Sequence, residues 1–338
     1  MPSDSAKSDI LKSSPPPASM KALAPYPLGT CALSTHMDDA AWNRLALTHF
    51  DQITPEWEMK MEYILSPDGY RFDAPDRIAA YARAHGLGLH GHTLIWYAQG
   101  GETFGKLSKA DLRQQFDRYI AAVAGRYAGQ MRGWDVVNEA VAEDGNGLRT
   151  EHHWATGLGE FDYMVRAFEQ AKLADPDAIL FINEYNLENN PQKGATFLNL
   201  VERLLNAGVP VGGIGSQSHL DIEIPEGRIS RFLRDAAQFG LPIHISELDA
   251  SRRRDNGTPD IRSVSERTTQ QIDRVNELAE SFNALPTAQQ YGLTFWALRD
   301  TDSWLRRPPR DDGKDSLVAF DAHGQLTPLG RTLVESWS

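Results

Sequence analysis

Cysteine is almost missing from this chain of 338 residues: Cys31 stands alone, so no intrachain disulfide can form. That excludes a disulfide-stapled scaffold, but it neither assigns the protein to the cytosol nor bars it from export. Long apolar runs are missing too, and no stretch approaches the ~20 residues that a membrane-spanning helix needs. The N-terminus lacks the basic and then apolar blocks of a signal peptide. Basic charge is in deficit, with 34 Lys and Arg against 46 Asp and Glu for a net charge of -12. Nucleic acid rewards clusters of Lys and Arg, so no nucleic-acid partner is expected. The acidic balance favours solubility and is compatible with a neutral polymer or small-molecule ligand. There is no Walker-type loop, no dinucleotide fingerprint and no Gly-x-Ser-x-Gly elbow. His90 with His92, and His152 with His153, come nearest to a metal pattern. Neither pair has the Asp, Glu or Cys at a spacing that would complete a site, so no metal and no cofactor is expected.

What the chain does have is alternation. Residues 1–27 are rich in Ser, Pro, Lys and Ala, carry a Pro15-Pro16-Pro17 run, and read as a flexible or extended lead-in. From Leu28 to the C-terminus, short apolar runs alternate with amphipathic stretches in one domain-sized unit, 28–338. Strands are predicted at Leu28–Ala32, Phe50–Pro55, Leu87–Trp96, Met131–Glu139, Ala178–Tyr185, Val211–His219, Leu241–Leu248 and Tyr291–Leu298. Helices are predicted between them at Asp76–His85, Lys109–Tyr127, Phe161–Ala174, Pro191–Ala207, Arg228–Phe239 and Ser263–Leu285. Strand–helix alternation implies an α/β fold with a parallel sheet, and eight units in one domain imply a closed (β/α)8 barrel, the TIM barrel. Gly86 and Gly208 stand where a helix must stop before the next strand. A monomer is expected.

Active sites of such barrels lie at the C-terminal ends of the strands. Polar residues collect there: Glu56, then His92, Trp96 and Gln99, then Asn138 and Glu139, then Asn183 to Asn186. They continue with Gln217 and His219, Glu247 and Asp249, and finally Trp296 with Trp304 beyond. Two strands, Trp134-Asp135-Val136-Val137-Asn138-Glu139 and Ile243-His244-Ile245-Ser246-Glu247, run through apolar residues and finish on a glutamate. Two carboxyls facing each other across a sugar are what glycoside hydrolysis needs, one to protonate the leaving oxygen and one to attack the anomeric carbon. A buried structural carboxylate is the bland alternative for each, and it is uncommon because burying a charge is costly. Asp249 lies two residues beyond Glu247, on the same strand face. A Glu247–His219–Asp249 chain would therefore fix the carboxylate's orientation; a histidine satisfied in the barrel core is the alternative for His219. Asn138 and Gln217 are candidates to bond the sugar 2-hydroxyl and the nucleophile. Tyr185 and Asn186 are candidates for the leaving-group side or for loop packing.

In this order and at these strand ends, the motifs resemble glycoside hydrolase family 10, the family of endo-β-1,4-xylanases. The resemblance runs from about Leu28 to the C-terminus. It rests on Thr54-Pro55-Glu56 with Met59-Lys60, on Gly91-His92-Thr93-Leu94-Ile95-Trp96, and on Trp134 to Ala140. Asn183 to Asn186, Gly213 to Leu220, Ser246-Glu247-Leu248-Asp249 and Thr294-Phe295-Trp296 complete it. It implies retaining hydrolysis of β-1,4-xylosidic bonds in xylan or xylo-oligosaccharides, with Glu139 as general acid/base and Glu247 as nucleophile. Retaining enzymes hold these carboxyls about 5–5.5 Å apart, where a negative nucleophile keeps its partner protonated. The resemblance also gives Lys60, His92, Trp96 and Gln99 as glycone-binding groups and Trp296 and Trp304 as an aromatic roof; indoles stack on the apolar faces of sugars.

The sequence departs from the family pattern at three places. Glu56-Trp57 stands where the family has Glu-Asn, so an indole replaces an amide that normally bonds the second glycone sugar. Trp96-Tyr97-Ala98-Gln99 stands where Trp-His-Ser-Gln is usual, and Glu184 stands where aspartate is common. Trp57 and Tyr97 together suggest a rebuilt glycone side. The loop from Leu305 to Ser316 carries Arg306, Arg307, Arg310 and Lys314 among three aspartates, and would suit uronic-acid branches unless it is only a solvated loop. The alternatives are an exo-acting or differently specific β-glycosidase, and a non-hydrolytic carbohydrate-binding barrel. Xylan is too large to enter a cell, so a secreted or periplasmic location with the signal absent from this chain is expected. A cytoplasmic enzyme working on imported oligosaccharides is the alternative.

Overall fold

The computed structural model describes residues 19–253, 261–307 and 315–337. Eight strands close into one barrel: β1 (Leu28–Ala32), β2 (Gln52–Pro55), β3 (Gly88–Trp96), β4 (Gly133–Asn138), β5 (Ile179–Glu184), β6 (Gly213–Ser216), β7 (Ile243–Leu248) and β8 (Gln290–Phe295). Neighbours pair in parallel in sequence order, and β8 closes onto β1 with Leu28 opposite Leu293 and Thr30 opposite Phe295. The strands are buried almost throughout because helices cover the outside while side chains fill the inside, which is why they read as apolar runs rather than alternating ones. All eight predicted strands are present, trimmed by a residue or more at most ends.

Eight longer helices surround the described barrel: α1 (Ala40–His49), α2 (Asp73–His85), α3 (Lys109–Arg126), α4 (Asp162–Ala174), α5 (Pro191–Asn206), α6 (Arg228–Ala237), α7 (Val264–Asn283) and α8 (Pro328–Ser336). Local chemistry sets their ends. Ser108 Oγ accepts from the Asp111 amide at the start of α3. Ser263 and Glu266 form a capping box on α7, and Asn190 caps α5 with Pro191 in its first turn. Gly86 closes α2 in the left-handed region at φ +66°. Gly91 of β3 answers a close approach: a Cβ there would lie 2.0 Å from Trp134 of β4. α1, α8 and a small hairpin pairing Leu65–Ser66 with Gly69–Tyr70 were not predicted.

The expected lead-in is corrected over 19–27. Met20 and Tyr26 are buried in the core, Lys21 Nζ donates to the Leu47 and Phe50 carbonyls, and Trp337 Nε1 donates to the Tyr26 hydroxyl. The segment seals the barrel beside α8, because Met20 and Tyr26 supply apolar area that the surrounding Ser, Pro and Lys composition hides. Residues 1–18 of that lead-in and residues 308–314 of the charged loop lie outside the described residues.

The barrel interior is not wholly apolar. His90, His244 and Asp135 meet inside it with Tyr291. Asp135 lies 2.8 Å from His92 Nδ1 and 3.1 Å from His90 Nε2, and His90 Nδ1 lies 3.0 Å from the Tyr291 hydroxyl. Burial pushes the Asp135 carboxyl up, but the two imidazoles outweigh burial and hold it far below the usual carboxylate range.

Candidate active site

The C-terminal ends of the strands open into a cleft of about 730 Å³. β4 stops at Asn138, and Glu139 follows with φ +60° in the left-handed region. Asn186 after β5 and Ser218 after β6 are the other non-glycine residues with positive φ among those described, so all three sit on strand-end turns at one rim of the barrel. The turn at Glu139 accompanies a carboxylate that lines the cleft. Its Oε2 accepts from Trp96 Nε1 at 2.7 Å, and its Oε1 accepts from Asn138 Nδ2 at 3.1 Å and Gln217 Nε2 at 3.0 Å.

Glu247, near the end of β7, lines the same cleft from the facing side of the barrel. Its Oε1 accepts from Asn183 Nδ2 at 2.9 Å, and the same amide nitrogen donates to Asn138 Oδ1 at 2.9 Å. Asn138 and Asn183 thus link the two carboxylates in one hydrogen-bonded chain. Ser246 Oγ, donating to Asn183 Oδ1 at 2.7 Å, fixes the amide's orientation. The other face of Glu247 meets His219: Nε2 lies 3.4 Å from Glu247 Oε2, and Nδ1 lies 3.0 Å from Asp249 Oδ1. Trp304 Nε1 donates to Asp249 Oδ2 at 3.0 Å. Burial would lower the His219 pKa, but the Asp249 and Glu247 carboxylates outweigh it and raise it to about 10, so the ring is an imidazolium at neutral pH. Burial likewise pushes the Glu247 carboxyl up, yet the His92 ring, the His219 imidazolium and Lys60 together hold it below its ordinary value.

On the β2, β3 and β8 side, Lys60 Nζ sits 5.0 Å from the Trp96 ring centroid and 5.8 Å from that of Trp296. His92, Trp96, Trp296 and Trp304 line the cleft with it. Trp57 also lines it and is 42% exposed, a large apolar side chain facing solvent at a binding cleft. Glu56 is buried, and its Oε1 accepts from Arg307 Nη2 at 3.0 Å. On the opposite side Tyr185 lines the cleft. Its hydroxyl bonds to Arg149 and Glu143, and the Lys193 ammonium lies 3.3 Å from its ring centroid.

Four expected site residues lie off the cleft surface. Gln99 is buried, and its Oε1 accepts from the Glu62 amide at 3.1 Å, so it ties a loop. Asn186 Oδ1 accepts from Asn189 Nδ2 at 2.6 Å within its own turn. Asp249 is buried and meets His219 and Trp304 rather than the cleft. Tyr97 is not among the residues lining the cleft; the Arg149 guanidinium lies over its ring at 4.2 Å from the centroid. One residue further along the strand end from Trp96, the side chain leaves the cleft, which a linear motif does not reveal. Sequence reasoning passed over Asp135, Arg149 and Lys193. An aspartate inside the apolar run Trp134 to Val137 was the available signal, because a buried charge needs a partner. Among the described residues no group of three or more His, Cys, Asp or Glu could hold a metal ion.

The sequence pattern of glycosyl hydrolase family 10 matches residues 19–336. The chain belongs to this family. It is 34% identical to endo-1,4-beta-xylanase B of Paenibacillus barcinonensis, over 82% of this chain and 86% of that protein. It is 32% identical to endo-1,4-beta-xylanase A of Cellvibrio japonicus, over 94% of this chain but only 56% of the relative, so it spans about half of that longer protein. A crystal structure of Paenibacillus barcinonensis xylanase XynB superposes with a TM-score of 0.85 at 31% identity, covering 94% of this chain and 98% of that one. The family 10 relatives also include a protein named exoglucanase XynX of Acetivibrio thermocellus, 33% identical over 90% of this chain and 28% of the relative. Among the described residues of this family 10 chain, no helix is long and apolar enough to cross a membrane.

Proposed function

We propose that this chain hydrolyses β-1,4-xylosidic bonds in xylan-type chains with retention of configuration, Glu139 acting as general acid/base and Glu247 as nucleophile. The observation that carries the reading is the unequal setting of two linked carboxylates across one cleft. Glu247 faces an imidazolium and an amide donor, both of which favour its ionised form. Glu139 accepts from an indole and two amides, with no cation among those donors. Unequal surroundings divide labour between two carboxyls. In the first step Glu247 attacks the anomeric carbon as the glycosidic bond breaks, and Glu139 gives its proton to the leaving oxygen. The glycosyl–Glu247 ester removes the nucleophile's negative charge. Glu139, now ionised, takes a proton from water as that water attacks the same carbon, which releases the sugar and restores both groups.

Asn138, Asn183 and Gln217 hold the pair in register, and His219 with Asp249 orients the nucleophile. Lys60, His92, Trp96, Trp296, Trp304 and Trp57 would bind the glycone sugars, with Tyr185 on the leaving-group side. A polysaccharide substrate agrees with a secreted or periplasmic location, and residues 28–338 then form the catalytic domain with 19–27 packed onto it. Trp57 and the Arg307–Glu56 pair favour a second reading of cleavage mode, exo-action from a narrowed glycone end. Products of xylohexaose followed over time, with Glu247→Ala as the blank, test both. Early xylobiose to xylotetraose are expected of endo-action, and xylose released stepwise is expected of exo-action. No product above the blank would overturn the xylanase reading.

A further inference from the structure

Two of the three departures from the family pattern meet at one place. Tyr97 and Glu184 are far apart in sequence and lie at the ends of different strands, yet Glu184 accepts from the Tyr185 amide and Tyr97 meets Arg149, which bonds the Tyr185 hydroxyl. The loop after β4 brings them together. Val141 and Leu148 form an antiparallel bridge, and the Arg149 amide donates back to the Ala140 carbonyl at 2.8 Å, so the chain returns Arg149 to a point beside Glu139. The Arg149 guanidinium lies 4.2 Å from the Tyr97 ring centroid and 5.9 Å from that of Tyr185. Its Nη2 donates to the Tyr185 hydroxyl at 2.6 Å and to Glu143 at 3.0 Å, and its side chain is only 16% exposed. Beneath Tyr185, buried Glu184 bonds the Val141 amide at 2.9 Å and meets buried Lys193 at 3.1 Å.

We propose that Arg149, stacked on Tyr97, is a positioning residue that fixes Tyr185 as a rigid platform for the first leaving-group sugar, so that the Tyr97–Arg149–Tyr185 stack determines how tightly that sugar is held. The inference rests on the xylanase reading, which puts the departing sugar at Tyr185. The chemistry favours arginine here, because a planar guanidinium stacks on one ring and bonds a second ring's hydroxyl at once, and an ammonium cannot do both. The same stack braces catalysis from the side, since Tyr97 adjoins Trp96 and Trp96 holds Glu139.

The test compares xylopentaose, which needs a sugar on the leaving-group side, with 2,4-dinitrophenyl β-xylobioside, whose leaving group is not a sugar. Steady-state kinetics are measured for the wild type, Arg149→Met, Arg149→Lys, Tyr97→Ala and the double variant Arg149→Met/Tyr97→Ala. For Arg149→Met, kcat/KM on xylopentaose is expected to fall about tenfold further than on the aryl glycoside, mainly through KM. Arg149→Lys should recover little of that selective loss. Tyr97→Ala should show a similar selective loss, and the double variant should be no worse than the worse single one, since the residues act as a unit. Equal losses on both substrates would mean a merely structural role and overturn this inference alone. Wild-type inactivity on both substrates would overturn the xylanase reading and this inference with it.

Discussion

Replacing His219 with alanine should move the acid limb of the pH profile upward. The imidazolium lies 3.4 Å from Glu247 Oε2. With an effective dielectric of ~20, a unit charge pair at that distance interacts by about 5 kcal/mol, an upper bound because water fills the space left by the ring. A charged hydrogen bond contributes about 1.5–3 kcal/mol net, which corresponds to roughly one to two pKa units. The sign follows from the chemistry: Glu247 must be ionised to attack, so activity is lost as pH falls through its pKa. In the wild type that pKa lies below the ordinary carboxyl value of 4.5. In the variant, Asp249 also loses its counter-charge and adds repulsion. The assay is kcat/KM on an aryl β-xylobioside between about pH 3 and 8, which reports the free enzyme's ionisations. The acid limb should rise by about one to two pH units. A limb within about 0.3 units of the wild type would mean that His219 carries no charge beside Glu247.

Other outcomes follow from the same geometry. The His219 pKa, raised from 6.5 to about 10, adds stability that is fully present below pH 6.5 and is lost as pH rises through about 10; urea unfolding should therefore show the wild type losing more stability across that window than His219→Ala. Lys193→Met leaves Glu184 buried without its cation. Burial, opposed by Lys193 and aided by the Glu139 charge, already raises the Glu184 pKa to about 7, so the carboxyl can protonate. Destabilisation by this variant should thus be about 1 kcal/mol near pH 5 and about 3 kcal/mol near pH 8, and a pH-independent loss would contradict the pairing. Glu139→Ala should retain more activity on a dinitrophenyl leaving group than on xylan by about two orders of magnitude or more, with azide restoring turnover as a β-glycosyl azide. Trp57→Asn should improve turnover on unsubstituted xylo-oligosaccharides; kinetics equal to the wild type would clear Trp57 as a determinant.

The barrel was legible because its strands are short, buried on both faces and separated by amphipathic stretches with clear stop signals such as Gly86. α8 was not, because Pro328–Ser336 follows the last predicted strand; α1 was not, because Ala40–His49, though it lies between the first two strands, buries only Trp42, Ala46 and His49. The catalytic pair could be read from Glu139 and Glu247 ending apolar runs. What links them could not. Asn183 reaches both Asn138 and Glu247 because β5 lies between β4 and the strands leading to β7, a relation that exists only after the barrel closes. Tyr97 shows the limit most plainly. Its neighbour Trp96 lines the cleft, while Tyr97 lies off it against Arg149, a residue 52 positions away in the chain. The packing of Met20 and Tyr26 was masked by the Ser- and Pro-rich composition around them, and the Lys21 and Trp337 hydrogen bonds that help hold the segment exist only in the folded chain.

The most direct measurement is covalent trapping of the nucleophile. The enzyme is incubated with a 2-deoxy-2-fluoro-β-xylobioside carrying a dinitrophenyl leaving group, digested, and mapped by mass spectrometry. The fluorine slows both steps and the good leaving group restores the first alone, so the glycosyl–enzyme ester accumulates. One fluoroxylobiosyl group on Glu247, with activity lost in proportion, is the expected result. A label on another residue, or steady turnover with inverted products and no label, would contradict the double-displacement assignment.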